Sequence, residues 1–303
     1  MGSLCILVFG ATGTLGQALM AEGLALGHDM RGAARRHGEY PCDLTDRDRV
    51  TDLWRSLAPD VVINTAALID VGACEANPDA AYGLHAHGVH TLARLARETR
   101  TPLVQVSTDQ YYHGDGIRPH GEGEPVHPQT VYAASKLAGE ALAATAPDHL
   151  IIRTNFTGMR GWEGRPSFAE WAIDVILNAR HATLFNDYFT STIDAPALAQ
   201  AIMDLIGAKA RGVLNVAAAQ VFSKADFVEA LARRFARPLP HAIHGSVAGL
   251  VPARSDSLGL DVTRAERLLG RPLPRLEDVV HALHRAWQDQ KEADPCGTTR
   301  LSA

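Results

Sequence analysis

The chain has 303 residues, 46% of them hydrophobic and 21% charged, enough apolar material for a full core and more than one average domain needs. A net charge of -5 and a pI near 6.3 argue against a general nucleic-acid or anionic-membrane surface. No apolar run reaches the roughly 18 residues of a membrane span, no secretory leader is recognisable at the N-terminus, and Cys5, Cys42, Cys74 and Cys296 have neither C-x-x-C nor zinc spacing, so a reduced, cytoplasmic protein is expected.

Leu4 to Phe9 is a continuous apolar run, the mark of a strand buried on both faces. The loop Gly10-Ala11-Thr12-Gly13-Thr14-Leu15-Gly16 follows, and then a helical pattern from Gln17 to Leu26. Strand, glycine loop and helix is the setting of a dinucleotide fingerprint, here spaced G-x-x-G-x-x-G. Gly10 serves the tight turn, Gly13 lets the backbone approach a pyrophosphate, and Gly16 lets the helix close on the strand. With Thr12, Thr14 and Leu15 they form the candidate cofactor cradle, the phosphates sitting on the free amides of the helix N-terminus.

A second strand is expected over Met30 to Arg35. Where NAD binders commonly carry a carboxylate for the ribose 2'-hydroxyl, this chain has Arg35-Arg36. A guanidinium suits a 2'-phosphate, so NADP(H) is preferred, with NAD(H) as the alternative. Asp43 and Leu44, ahead of a capped helix from Asp46 to Leu57, are candidates to border the adenine. A buried strand from Asp60 ends in the small residues Ala66 and Ala67, which leave room for a ligand in the crevice. One long helix is expected from Ala76 to Thr99. Its His85, His87 and His90 have no acidic or sulfur partner at metal spacing, so no metal site is expected.

The next strand, Leu103 to Thr108, ends in Ser107-Thr108-Asp109, and a Gly- and Pro-rich loop from Gly114 to Gln129 leads to the helix start Thr130 to Glu140. There Tyr132 and Lys136 stand one turn apart on one face. A free phenol, with a pKa of about 10, is a poor acid-base group at neutral pH. A nearby ammonium draws that value down, so the couple can hand a proton to a carbonyl oxygen or take one from an alcohol. An amphipathic helix with one aromatic core residue and one solvated lysine would read the same.

A sixth strand at Leu150 to Thr154 completes an alternation of strand and helix, hence an α/β fold with a doubly wound parallel sheet, a Rossmann arrangement. The second half reads as helices at Ser167 to Ala179, Ala195 to Gly207, Lys224 to Ala236 and Leu276 to Gln288, with one clear strand at Gly212 to Ala217. The expected division is a dinucleotide-binding domain over 1–160, a smaller, mostly helical substrate lobe over 161–291 that shares sheet segments with it, and a loose tail over 292–303.

With the glycine loop, N-T-A-A, S-T-D and Y-A-A-S-K in this order, the chain resembles the extended short-chain dehydrogenase/reductases. It is most similar to their dTDP-4-dehydrorhamnose reductase branch, through Ser107-Thr108-Asp109, Tyr132 to Glu140 and Arg153-Thr154. The resemblance is detailed over about 4 to 158 and thins to Asn186-Asp187 and Arg254 to Asp261. It implies a reductase that passes hydride to the keto carbon of a nucleotide-linked deoxysugar. Tyr132 would supply the proton, Lys136 would lower its pKa and hold the nicotinamide ribose, and Thr108 would bond the reacting oxygen. Asp109, Phe156, Tyr188 and Arg254 are the implied substrate contacts. The helix in which relatives offer a relay asparagine offers His85 here.

Departures from the branch fall at substrate-lining positions, as in Gln110-Tyr111-Tyr112-His113, Asn155-Phe156-Thr157-Gly158 and Asp187 to Ile193. The rival enzyme readings are an epimerase or a dehydratase with the same cofactor; Gln110, where a dehydratase would carry Glu, weighs against the latter. A rival of another class is a non-catalytic nucleotide-binding regulatory subunit, as the related beta subunit of methionine adenosyltransferase illustrates. The partner expected is a small molecule, a nucleotide-sugar, with no nucleic acid, no membrane and a homodimer as the default assembly.

Overall fold

The computed structural model describes residues 2–160, 166–250 and 255–293. Its centre is a seven-stranded parallel sheet of β1 (Cys5–Phe9), β2 (Asp29–Ala34), β3 (Tyr40–Pro41), β4 (Val61–Asn64), β5 (Leu103–Val106), β6 (His149–Arg153) and, from the second half of the chain, β11 (Gly212–Asn215). Between β6 and β11 come four short strands, β7 (Phe156–Thr157), β8 (Ala182–Phe185), β9 (Phe189–Thr190) and β10 (Ile193–Asp194). The order across the sheet is β3-β2-β1-β4-β5-β6-β11, and every pairing is parallel. The direction of winding reverses between β1 and β4. Loops leaving these two strands part there and open a crevice at the carboxyl end of the sheet.

Side-chain alternation divides the sheet's two faces. Ile6 and Val8 of β1 point into one core, with Leu15 and Leu19 of α1 (Thr14–Ala25) and Leu198 and Ile202 of α8 (Ala195–Gly207). Leu7 and Phe9 point into the other, with Val50 and Trp54 of α2 (Arg47–Leu57) and Leu92 and Leu95 of α5 (Val89–Thr99). Fully burying such a side chain contributes about 1.5–3 kcal/mol, so these two layers hold the strand ends in place. Helix α8 comes from the second half of the chain, yet it packs on α1 and covers the same face of the sheet.

A third core belongs to the second half. It joins Ile173 and Ile176 of α7 (Phe168–Leu177), Phe227 and Leu231 of α9 (Lys224–Arg234) and Val279 and Val280 of α11 (Leu276–Ala293). Beside the expected helices and β11 lie short strands that periodicity does not mark. They form the pairs β7–β10 and β8–β13 (Ala242–Gly245), and the triplet β12 (Phe222–Ser223), β9 and β14 (Ser257–Leu258). The short helix α10 (Thr263–Leu269) is likewise outside the expected elements, and α11 runs beyond Gln288 to Ala293.

The expected helix from Ala76 to Thr99 is differently built. A short α3 (Val71–Ala76) ends before Asn77, whose side chain caps α4 (Pro78–Tyr82) by accepting from the Ala80 amide. A Pro at the first helical position makes this a new start rather than a continuation. A π turn, Gly83–Gly88, then joins α4 to α5. Among the described residues no helix is long and apolar enough to cross a membrane, and no group of His, Cys, Asp or Glu is arranged to hold a metal ion.

Candidate active site

The glycine cradle sits where β1 meets the crevice. Gly10 has φ +80°, and a Cβ there would lie 2.6 Å from Thr65 Oγ1 and 2.8 Å from the Ala66 amide nitrogen. A Cβ on Gly16 would lie 2.1 Å from the Gly10 carbonyl oxygen, so only glycine lets α1 close on β1. Gly13 is the N-cap of α1, and no side chain caps the first amides of that helix. Thr12 and Thr14 are half-buried at the mouth, whereas Leu15 is buried in the core. Ala66 and Ala67 are half-buried at the exit of β4, opposite Gly10.

Arg35 and Arg36 follow β2, both exposed, and neither forms an ion pair among the described residues. Asp43 turns its carboxylate to the Thr45 amide and hydroxyl, at 2.9 and 2.8 Å. The Leu44 side chain is committed to the core and touches the π turn at Gly88, so a ligand could meet only its backbone. An uncapped helix N-terminus, a floor that admits no Cβ and two exposed guanidinium groups fit a phosphorylated dinucleotide.

Tyr132 stands in the first turn of α6 (Val131–Ala143), which Thr130 caps by accepting from the Ala133 amide at 3.1 Å. Thr108, buried beyond the end of β5, has its hydroxyl 3.4 Å from Asp109 Oδ1 and near enough to the Tyr132 phenol to act on its pKa. Burial pushes that phenol up to about 12; the Thr108 hydroxyl pulls it back, and the nearby charge of Asp109 adds to the rise. Lys136 is buried, and its Nζ donates to the Val106 carbonyl, the last of β5, at 2.6 Å. Burial brings this amine down to about 8, against the pull of Glu140. The downward shift expected from Lys136 is therefore not found on the phenol: the ammonium is spent on a backbone carbonyl, and desolvation dominates.

Asp109 is fully buried and accepts from Gln110 Nε2 at 3.1 Å and from Asn155 Nδ2 at 2.8 Å. Burial raises its carboxyl to about 6, and the Lys224 charge draws it back. Asn155 Oδ1 accepts from Thr192 Oγ1 at 2.7 Å, and Lys224 Nζ approaches the same hydroxyl at 3.5 Å. A polar chain thus runs from the Thr108–Asp109 corner to the second half of the fold. Neither Asn155, Thr192 nor Lys224 stands out in the sequence as a site residue.

Lys224 ends in a cavity of about 560 Å³ lined by Phe168, Trp171, Phe185, Tyr188 and Val247. Its ammonium lies 4.0 Å from the Phe168 ring centroid and 5.8 Å from that of Tyr188. Tyr188 also reaches Gln110 Nε2 at 3.5 Å, which ties the cavity to the Asp109 corner. Phe156 does not line this cavity; it packs, partly buried, against the sheet core, because β7 pairs with β10 there. Arg254 lies outside the described residues.

The chain is similar to several known proteins. The probable low-salt glycan biosynthesis reductase Agl14 of Haloferax volcanii is 30% identical over 295 residues, 93% of this chain and 98% of that protein. The dTDP-4-dehydrorhamnose reductase of Salmonella typhimurium is 32% identical over 213 residues, 69% of this chain and 68% of that protein. Among solved structures, a dTDP-4-dehydrorhamnose reductase from Bacillus anthracis in complex with NADP superposes with a TM-score of 0.84 over 94% of this chain and 99% of that one; at 22% identity, this likeness shows the fold. The family model described as the RmlD substrate binding domain matches residues 4–287, and this chain belongs to that family.

Proposed function

We propose that the chain is an NADP(H)-dependent reductase that converts a keto group of a nucleotide-linked deoxysugar, or a similar polar carbonyl compound, to an alcohol, with Tyr132 as proton donor. The single observation that carries this reading is the gathering of Thr108, Asp109 and Tyr132 at the crevice of a doubly wound sheet, where burial raises the phenol to about 12. A phenol so raised stays protonated at neutral pH. It gives up its proton only as a much stronger base, an alkoxide, develops on the substrate, which suits it as the proton donor of a reduction.

Bound NADPH would supply the hydride to the keto carbon. Gly13 would let the backbone approach the phosphates while Gly10 and Gly16 keep the turn and α1 close to their neighbours, and Arg35 and Arg36 suit the 2'-phosphate. Thr108 orients the carbonyl oxygen toward Tyr132, and Tyr132 protonates it. Lys136, anchored on the Val106 carbonyl, would hold the nicotinamide ribose. Asp109, held by Asn155, accepts from sugar hydroxyls. The aromatic cavity with Lys224 at its edge suits the nucleotide end, rings stacking on a base and the ammonium answering its phosphates.

The reductase names of two relatives, at 30% and 32% identity, support the same reaction class. The test is NADPH consumption with a panel of nucleotide-linked 4-keto sugars carrying different bases. Turnover with at least one, and product analysis showing a new alcohol, is the expected result. Conversion of a sugar to its epimer without net NADPH use would favour the epimerase. Stoichiometric NADPH binding with no turnover on any carbonyl would favour a regulatory subunit.

A further inference from the structure

His85 lies in the π turn between α4 and α5 and is 2% exposed. Its Nε2 accepts a hydrogen bond from the Leu68 amide at 2.9 Å. A ring nitrogen that accepts from an N–H carries no proton, so the proton is on Nδ1. Nδ1 stands 2.8 Å from Ser135 Oγ and therefore donates to it. Ser135 Oγ in turn donates to the Tyr132 carbonyl at 2.9 Å. The direction of every bond in this chain is set by the one backbone donor at its start. It begins one residue after Ala67, at the crevice, and ends on the backbone of Tyr132.

Two further contacts make the same link. The His85 ring packs edge-on against the Tyr132 ring, centroids 5.6 Å apart and planes at 88°. A Cβ on Gly139 would lie 2.1 Å from the His85 carbonyl oxygen, so α6 rests directly on the π turn. A second ring proton would turn N–H against N–H at Leu68. Burial, with the charge of Lys136 as the lesser cause, accordingly holds the imidazole down at about 3.

We infer that His85 is a positioning residue: as a neutral Nδ1–H imidazole it clamps the exit of β4, at Leu68, to Ser135 on α6 and so sets the Tyr132 phenol over the crevice. This rests on the reductase reading for its kinetic consequence, though the clamp itself is a property of the folded chain. Asparagine is too short to reach both partners at once, and its amide can mimic only the Nδ1 end. Glutamine reaches farther and can present an acceptor only at the Nε2 end. The two arms can therefore be separated.

The experiment compares His85→Phe, His85→Asn and His85→Gln with the wild type in three measurements. These are single-turnover NADPH oxidation, NADPH affinity by fluorescence titration, and the thermal midpoint. The 15N shifts of His85 are recorded alongside. His85→Phe is expected to slow the single-turnover step by about a hundredfold, the scale of a misplaced reacting group, with NADPH affinity nearly unchanged. His85→Asn and His85→Gln are each expected to recover part of that rate. A wild-type rate in His85→Phe would overturn the inference. So would rate losses that follow the thermal midpoint across all three variants, with no recovery in either polar one.

The 15N spectrum tests the clamp independently of activity. A protonated Nδ1 and a bare Nε2, unchanged from mildly acid to mildly alkaline pH, are expected; the opposite tautomer, or titration in that range, overturns it. If the wild type itself turned over no carbonyl, the reductase reading would fail, and the ring-nitrogen shifts would still support or overturn the clamp.

Discussion

The Asn155 amide donates to Asp109 Oδ2 at 2.8 Å while its own oxygen accepts from Thr192 at 2.7 Å. Its orientation is thereby fixed from both ends, and a carboxylate from the end of β5 is held by a residue that follows β6. The site is built where the sheet and the second half of the chain meet.

Asp109 should leave a mark on stability against pH. Burial raises its carboxyl from 3.8 to about 6. Between those values the folded protein keeps a proton that the unfolded chain has lost. Stability from this group is thus full below about pH 4 and is lost as pH rises through about 6. The denaturant midpoint of the wild type, measured against that of Asp109→Asn over this window, should fall with rising pH. A difference independent of pH would contradict the assignment.

The buried pair Glu140–Arg153 should be among the costliest contacts to break. Arg153 Nη2 meets Glu140 Oε2 at 2.8 Å, and Tyr111 Oη and Ser107 Oγ donate to Oε1 at 2.9 and 2.5 Å. Glu140→Gln leaves the guanidinium buried without a countercharge, and denaturant unfolding should show a loss of about 3–5 kcal/mol. A loss of under about 1 kcal/mol, the scale of a surface pair, would mean that the pair is solvated.

Replacing both Arg35 and Arg36 with alanine should separate the two cofactors. Losing charge-assisted bonds to a 2'-phosphate costs about 1.5–3 kcal/mol, or roughly ten- to hundredfold in kcat/KM for NADPH. The value for NADH should hardly change. An equal loss for both would place the arginines on some other part of the ligand.

The first half of the fold is readable because its signals are local. Leu4 to Phe9 has no polar interruption since β1 is covered on both faces, and Gly10 and Gly16 stand where a Cβ would strike backbone. The break at Asn77-Pro78 also carries a capping signal, which the expectation of one helix from Ala76 passes over. The π turn leaves none, because the apolar spacing passes through Gly83–Gly88 without a break. Asn155, Thr192 and Lys224 are not readable because they gain meaning only by meeting Asp109 and one another across distant segments. Strands of two residues, such as β7 and β10, are too short to show alternation, which is why the packing of a partly buried Phe156 against the sheet core is not legible in the sequence. The upward shift of Tyr132 is hidden for a related reason: burial, unlike charge, has no sequence spacing.

Everything in the reductase reading turns on the Tyr132 hydroxyl as the source of the proton. The most direct measurement is single-turnover NADPH oxidation by Tyr132→Phe, beside its NADPH affinity, with a nucleotide-linked keto sugar that the wild type reduces. Unchanged cofactor affinity and a rate lower by about two to four decades are expected. Hydride transfer at the wild-type rate in that variant would contradict that role.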